Sequence, residues 1–246
     1  MNLSLQRAYY IACKDLKSYY LKPPLISWGL LMPVVFILAF YLRNPQGISE
    51  VAPGLIGLTL LFSSTSMAAI VITFEKRINA LERLLLAPVS MQTLVLGKAA
   101  GSSAFGAVMG AAVLIMGPAV FGLSVSNIVL LLLGLVLSAV VFAFMGLLIS
   151  VAVREVFEAM TLSNFFRFPM VFLCGVFFPF ESLPKILKAV GLFLPLTYSV
   201  DLFRFCLLDQ RSFLNPYLDV AALTAFCLIL FFFINTAFMR RLREQY

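Results

Sequence analysis

"AAGSSAFGAVMGAAVLIMGPAVFGLSVSNIVLLLLGLVLSAVVFAFMGLLISVAV", residues 99–153, contains no Asp, Glu, Lys or Arg. As one helix, at 1.5 Å per residue, it would reach about 80 Å, far beyond the roughly 30 Å hydrocarbon core of a bilayer. The turn-forming cluster "GPAVFGLSVSN" at 117–127 divides it into two crossings. The rest of the chain has the same character: 62% of its 246 residues are hydrophobic and 12% charged, whereas soluble domains carry about a quarter charged residues.

Beyond that run four more windows, three charge-free and one broken by a single Arg, are long enough to cross. They are "PPLISWGLLMPVVFILAFYL" between Lys22 and Arg43, "VAPGLIGLTLLFSSTSMAAIVITF" between Glu50 and Glu75, "AMTLSNFFRFPMVFLCGVFFPF" from Ala159 to Phe180, interrupted by Arg167, and "VAALTAFCLILFFFINTAFM" from Val220 to Met239. The expected fold is an all-α polytopic membrane protein, one transmembrane domain over residues 1–246. Its six spans fall at about 24–42, 52–73, 99–119, 127–152, 159–179 and 220–239. The first run follows Lys22, exceeds a signal-peptide core in length and lacks an A-x-A site, so it reads as a retained anchor.

An even number of spans puts both termini on one side. Thirteen Lys and Arg fall on that side and five on the other, which makes the termini cytoplasmic by the positive-inside rule. The net charge of +7 is then topology and contact with lipid headgroups rather than a nucleic-acid footprint. Cys13, Cys174, Cys206 and Cys227 show no paired spacing and read as small packing residues.

Some chemistries are absent. The chain has no histidine, which removes imidazole-based acid–base catalysis and most zinc sites. Gly97-Lys98 is followed by Ala99, and Gln92 stands where a P-loop needs its first glycine, so the chain does not bind ATP that way. The predicted spans contain no Asp or Glu. Nothing marks the chain as an enzyme.

The segments between spans carry the functional reading. Residues 1–22 alternate Leu5, Tyr9, Ala12, Leu16 and Tyr19 with Arg7, Lys14 and Lys17, the pattern of a helix lying in the headgroup plane; the alternative is a plain positive topogenic tail. Gly97/Gly101 and Gly106/Gly110 are small-xxx-small spacings that suit packing within the chain or, alternatively, between subunits. Arg167 falls near mid-membrane, where an unpaired Arg costs at least ~2.5 kcal/mol. It either lines a pathway or subunit interface or snorkels toward the headgroups. Residues 77–98, "RINALERLLLAPVSMQTLVLGK", hold an amphipathic helix over 75–86, stopped by Pro88, after which Ser90 can cap the next span. In the outer segment 181–217, Pro184, Gly191 and Pro195 break an apolar stretch into short pieces that suit re-entrant helices. Asp201 and Arg204 beyond it can pair on a helix face or stand as surface charges.

"FPMVFLCGVFFPFESLPKILKAVGLFLPLTYSVDLFR", residues 168–204, resembles the C-terminal signature of ABC transporter type-2 permeases. The matching positions are Phe172, Leu173, Cys174, Gly175, Phe177, Phe178, Pro179, Leu183, Pro184, Pro195, Leu196, Thr197, Tyr198, Val200, Asp201 and Arg204. The N-terminal "KDLKSYYLKPPLISWGLLMPVVFILAF" and the loop "FEKR…LERLLLAPVS…GK" look like other parts of that family, so the resemblance covers nearly the whole chain. Cys174 stands where Ser is common and Asn79 where Gly is common.

The resemblance implies a six-span exporter subunit in a prokaryotic inner membrane. It would associate with a second permease subunit, the same or different, and with a separate cytoplasmic ATPase that carries ATP and Mg; no cofactor belongs to this chain. It also makes 75–86 a coupling helix, with Glu75, Arg77, Leu81, Glu82, Arg83, Leu84 and Leu85 facing the ATPase. Arg167, Phe168, Phe172, Phe177 and Phe178 would line the pathway or subunit interface. Pro179, Pro184, Pro195, Tyr198, Asp201 and Arg204 would form the outer re-entrant signature. An ion-driven secondary transporter and a non-transporting assembly protein are the competing readings. The first would be expected to show internal repeats and intramembrane carboxylates, and neither is visible in the chain.

Overall fold

The computed structural model describes residues 3–20, 31, 34–39, 42, 48–85, 89–121, 123–177, 180–208 and 213–244. Among these it is helical, without strands. In chain order the helices are α1 (Leu3–Asp15, continued by a π turn, Leu16–Tyr20), α2 (Ile48–Arg77), α3 (Ala80–Leu85), α4 (Met91–Phe121) and α5 (Ile128–Ala152). They continue with α6 (Val156–Leu173), α7 (Lys185–Gly191), α8 (Pro195–Leu208) and α9 (Pro216–Glu244).

By length and composition four described helices can cross a bilayer: Ser49–Arg77, Met91–Met116, Ile128–Ala152 and Pro216–Phe238. They correspond to the second, third, fourth and sixth expected spans. The window 24–42 lies largely outside the described residues. The fifth, expected over 159–179, is an 18-residue helix ending at Leu173. It carries Glu158 and Arg167, and at about 27 Å it is the shortest of the five. The pair α7 and α8 is bent by 94°.

Helix α2 is the centre of the bundle. Its apolar window is 83% buried, against 17% for α9, so α2 is walled in by protein while α9 presents most of its surface to the surroundings. α2 packs against α4, α5, α6 and α8. An apolar helix could use leucine throughout, yet α2 contains Thr59, Ser63, Thr65 and Thr73, all buried. Each hydroxyl donates to the carbonyl four residues back, for example Thr59 to Leu55 at 2.7 Å and Thr73 to Ala69 at 2.8 Å. With those donors satisfied, the small side chains let neighbouring backbones approach closely. A Cβ at Gly146 of α5 would stand 2.4 Å from the Thr65 carbonyl oxygen, and one at Gly106 of α4 only 1.8 Å from Ser64 Oγ. Gly97 meets Ala8 and Ile11 of α1, and Gly110 meets Leu60 of α2. For Gly97, Gly106 and Gly110 the contacts are therefore within the chain.

The helix starts have local causes. Asn127 Oδ1 accepts from the Leu130 N–H at 3.1 Å at the head of α5. Ser90 Oγ accepts from the Thr93 N–H at 3.3 Å before α4, the cap expected from the sequence. At α6 the Glu158 carboxylate accepts from the N–H groups of Arg154 (3.0 Å) and Glu155 (3.4 Å). These bonds hold its carboxyl below the usual range.

Candidate functional site

One end of the bundle gathers α1, the end of α2, α3 and the start of α4. The sequence places a single coupling helix over 75–86; the structure divides that stretch differently. α2 runs on to Arg77, the chain turns at Ile78 and Asn79, and only Ala80–Leu85 form the separate short helix. Asn79 has φ of +54°, the one positive value at a non-glycine among the described residues. Asn is the L-residue that tolerates this region best after glycine. The turn therefore accounts for an Asn at this position.

Glu75 is not on an exposed rim. It lies one turn before the break on the side facing α1 and α4, and is 1% exposed. There it binds Lys98 of α4 and Lys14 of α1 (2.5 Å), while Asp15 of α1 binds the same two ammonium groups at 2.9 Å each. Lys98 and Asp15 are equally buried, at 2% and 0%, and Lys14 reaches solvent. Two cations and two anions form a neutral quartet linking three helices. Burial by itself would pull the Lys14 ammonium down, but its bonds to Glu75 and Asp15 outweigh that and raise it above the ordinary lysine value. The sequence identified Glu75 alone. Lys14 reads in the sequence as part of an interfacial helix or a positive tail and Lys98 as part of a positive loop, and neither reading shows that each lies close in space to a carboxylate remote in sequence.

The neighbouring Lys76 donates to the Ser150 carbonyl and, at 3.4 Å, to that of Val153, so a cation closes the C-terminal end of α5. Arg77 and Arg83 are exposed. Leu84 is half-buried against a cluster of Ile11, Leu94 and Val95, so it anchors α3 to the bundle. The side chains of Leu81, Glu82 and Leu85 lie outside the described residues.

In the bundle interior Arg167 is 4% exposed. Its Nη2 donates to Ser66 Oγ of α2 at 2.9 Å, its Nη1 to Asn164 Oδ1 at 3.2 Å, and the Phe62 ring lies 5.0 Å from Cζ. The guanidinium is turned inward between α6 and α2. Phe168 and Phe172 lie on the other side of α6 and are exposed. Phe177 is half-buried against the Phe36 and Phe172 rings, with centroids 5.9 and 6.4 Å away. Phe178 and Pro179 lie outside the described residues. The arginine and the phenylalanines expected to line one surface thus look in different directions.

At the opposite end the residues of the outer signature build the 94° bend. Pro184 precedes α7 and Pro195 opens α8. Thr197 Oγ1 donates to the Gly191 carbonyl and the Tyr198 hydroxyl to that of Leu192, both at 2.6 Å. These bonds satisfy carbonyls that the end of α7 leaves open. Asp201 accepts from the N–H groups of Phe213 and Leu214 at 2.9 Å, and Arg204 Nη2 donates to the Gly175 carbonyl at 2.8 Å. Both charges hold backbone, a role beyond the ion pair or surface placement expected of them. Gly175 has φ of +74°, a left-handed turn that suits glycine. Asp219, which falls just outside the sixth expected window, is fully buried with neither oxygen bonded among the described residues. No group of three or more His, Cys, Asp or Glu gathers among the described residues as a metal site would.

Helices apolar and long enough to cross a bilayer, a short helix packed at one end of them and a hydrogen-bonded bend at the other describe a polytopic membrane domain. The chain belongs to the ABC-2 type transporter family, whose model matches residues 6–208. It is an ABC transporter permease, a multi-pass, non-enzymatic membrane subunit. Nodulation protein J of Bradyrhizobium diazoefficiens is 40% identical over 74 residues, 30% of this chain and 28% of that relative. Nodulation protein J of Rhizobium leguminosarum bv. viciae is 37% identical over 73 residues, and that of Rhizobium leguminosarum bv. trifolii 37% over 76, each 30% of this chain and 27% of the relative. The chain matches less than a third of the length of these relatives.

Proposed function

We propose that this permease is the membrane subunit of an ATP-driven exporter of a prokaryotic inner membrane. Two permease subunits enclose the pathway, and each rests on a separate cytoplasmic ATPase that holds ATP and Mg. The termini, α1 and α3 lie on the cytoplasmic side, in line with the excess of Lys and Arg there. Export rather than import follows from the family resemblance.

The observation that carries the coupling part is the quartet of Lys14, Asp15, Glu75 and Lys98. ATP binding closes the ATPase subunits on one another, and force reaches the membrane only through a rigid element. α3 is such an element, joined by a tight turn to α2 and locked through Glu75 to α1 and α4. Leu81 and Leu85 dock in a groove of the ATPase, with Arg77, Glu82 and Arg83 at its rim fixing orientation. Rocking of the paired subunits then opens the space beside α2 and α6 alternately to the two sides.

The test is co-purification. A tagged full-length chain expressed with its ATPase is expected to elute with it and to show vanadate-sensitive ATP hydrolysis. Elution of a folded permease free of any ATPase under mild detergent would sink the proposal.

A further inference from the structure

We propose that Arg167, with Ser66, Asn164 and Ser163, forms an intramembrane recognition site for an anionic oxygen group, a phosphate or carboxylate, carried on an amphipathic molecule. This deepens the reading of α2 and α6 as walls of the pathway and rests on it.

The first argument is depth. Arg167 is eleven residues from the start of α6 at Val156, and Ser66 eleven residues from the end of α2 at Arg77. α2 ends and α6 starts at the same end of the bundle, so the two side chains sit about 16 Å above it, near the middle of a bilayer. The second argument is charge. Both hydrogen-bond partners of Arg167 and the Phe62 ring are neutral. None of the six expected spans contains Asp or Glu, and none of the ion pairs among the described residues involves Arg167. A buried guanidinium with neutral partners is a cation that still lacks its counter-charge.

The third argument is unused bonding capacity. A guanidinium carries five N–H groups in a planar fork; two are used, and Nε is buried without a partner. Ser163, one turn before Arg167 on the same face of α6, is 1% exposed and its hydroxyl is likewise unpartnered. A planar fork with its Nε–H buried and unsatisfied suits a phosphate or carboxylate bidentately, and Ser163 adds a further donor.

The experiment measures binding to the full-length chain in phosphatidylcholine nanodiscs, with dodecyl phosphate as probe and dodecanol as its neutral counterpart. The wild-type chain is expected to prefer the phosphate by about tenfold or more, the scale of charge-assisted hydrogen bonds in a dry site. Arg167→Gln is expected to erase that preference. So is Ser163→Asp, which supplies a counter-charge within the chain and guards against a mere folding defect in the first variant. Equal binding of the two probes by the wild type, or a preference that survives in both folded variants, overturns the site. Adding phosphatidylglycerol separates the sources: competition identifies a membrane lipid headgroup as the occupant, and a preference unaffected by it identifies a cargo distinct from that lipid. No ATPase is needed, so this result and the co-purification result fail independently.

Discussion

Lys98 is the residue on which the architecture of the α1, α2 and α4 end of the bundle turns. It is buried at 2% exposure at the head of α4 and holds Asp15 and Glu75 together. Removing one member of a buried ion network leaves its partners charged and uncompensated, at a cost of roughly 3–5 kcal/mol. Lys98→Met is therefore expected to lower the thermal midpoint of the purified permease by several degrees. Adding Glu75→Met should recover part of the loss, because Lys14 and Asp15 then remain as a neutral pair; a double variant no better than the single would show that the coupling is absent. These charges were legible as positive-inside topology but not as a network. Asp15 and Glu75 are sixty residues apart, and the packing of both α1 and α2 against α4 brings them together.

At the scale of elements, the turn between α2 and α3 and the start of α6 each rest on a local device. Asn79 is held at φ of +54°, where a β-branched residue is strained by about 1–2 kcal/mol or more. Asn79→Gly is expected to leave stability and ATP hydrolysis near wild-type values, and Asn79→Val to reduce both. Equal behaviour of the two variants would contradict the assigned turn.

At α6 the capping role of Glu158 requires its carboxylate form. Its folded value is depressed, so its contribution is complete above the usual carboxylate range near ~4.3 and is lost as pH falls through the lower folded value. Protection of the Arg154 and Glu155 amides from hydrogen exchange is expected to fall below about pH 4, and the step should be missing in Glu158→Gln. The start of α4 could be read from Ser90, because a cap is written in adjacent residues; Asn127, read only as part of a turn cluster, caps α5 in the structure. The extent of α2 could not. The sequence suggests that the short helix begins at Glu75, and only the backbone turn at Asn79 shows that α2 continues past it.

For the molecule as a whole, hydropathy alone identified the helical membrane class, because a run such as 99–153 has no other stable arrangement. The second, third, fourth and sixth crossings follow from that logic. The inward direction of Arg167 did not, since a residue's place along a helix leaves open which neighbour it meets; Ser66, its partner on α2, is 101 residues away. α3 is proposed to carry ATP-driven force into this bundle, and the measurement that bears on this is vanadate-sensitive ATP hydrolysis by the reconstituted complex of permease and ATPase, comparing the wild-type chain with Leu85→Asp at equal amounts in the membrane. A fall of about tenfold or more is expected, the effect of a charge placed in a desolvated hot spot. A rate equal to that of the wild type, with the variant fully inserted, would contradict it.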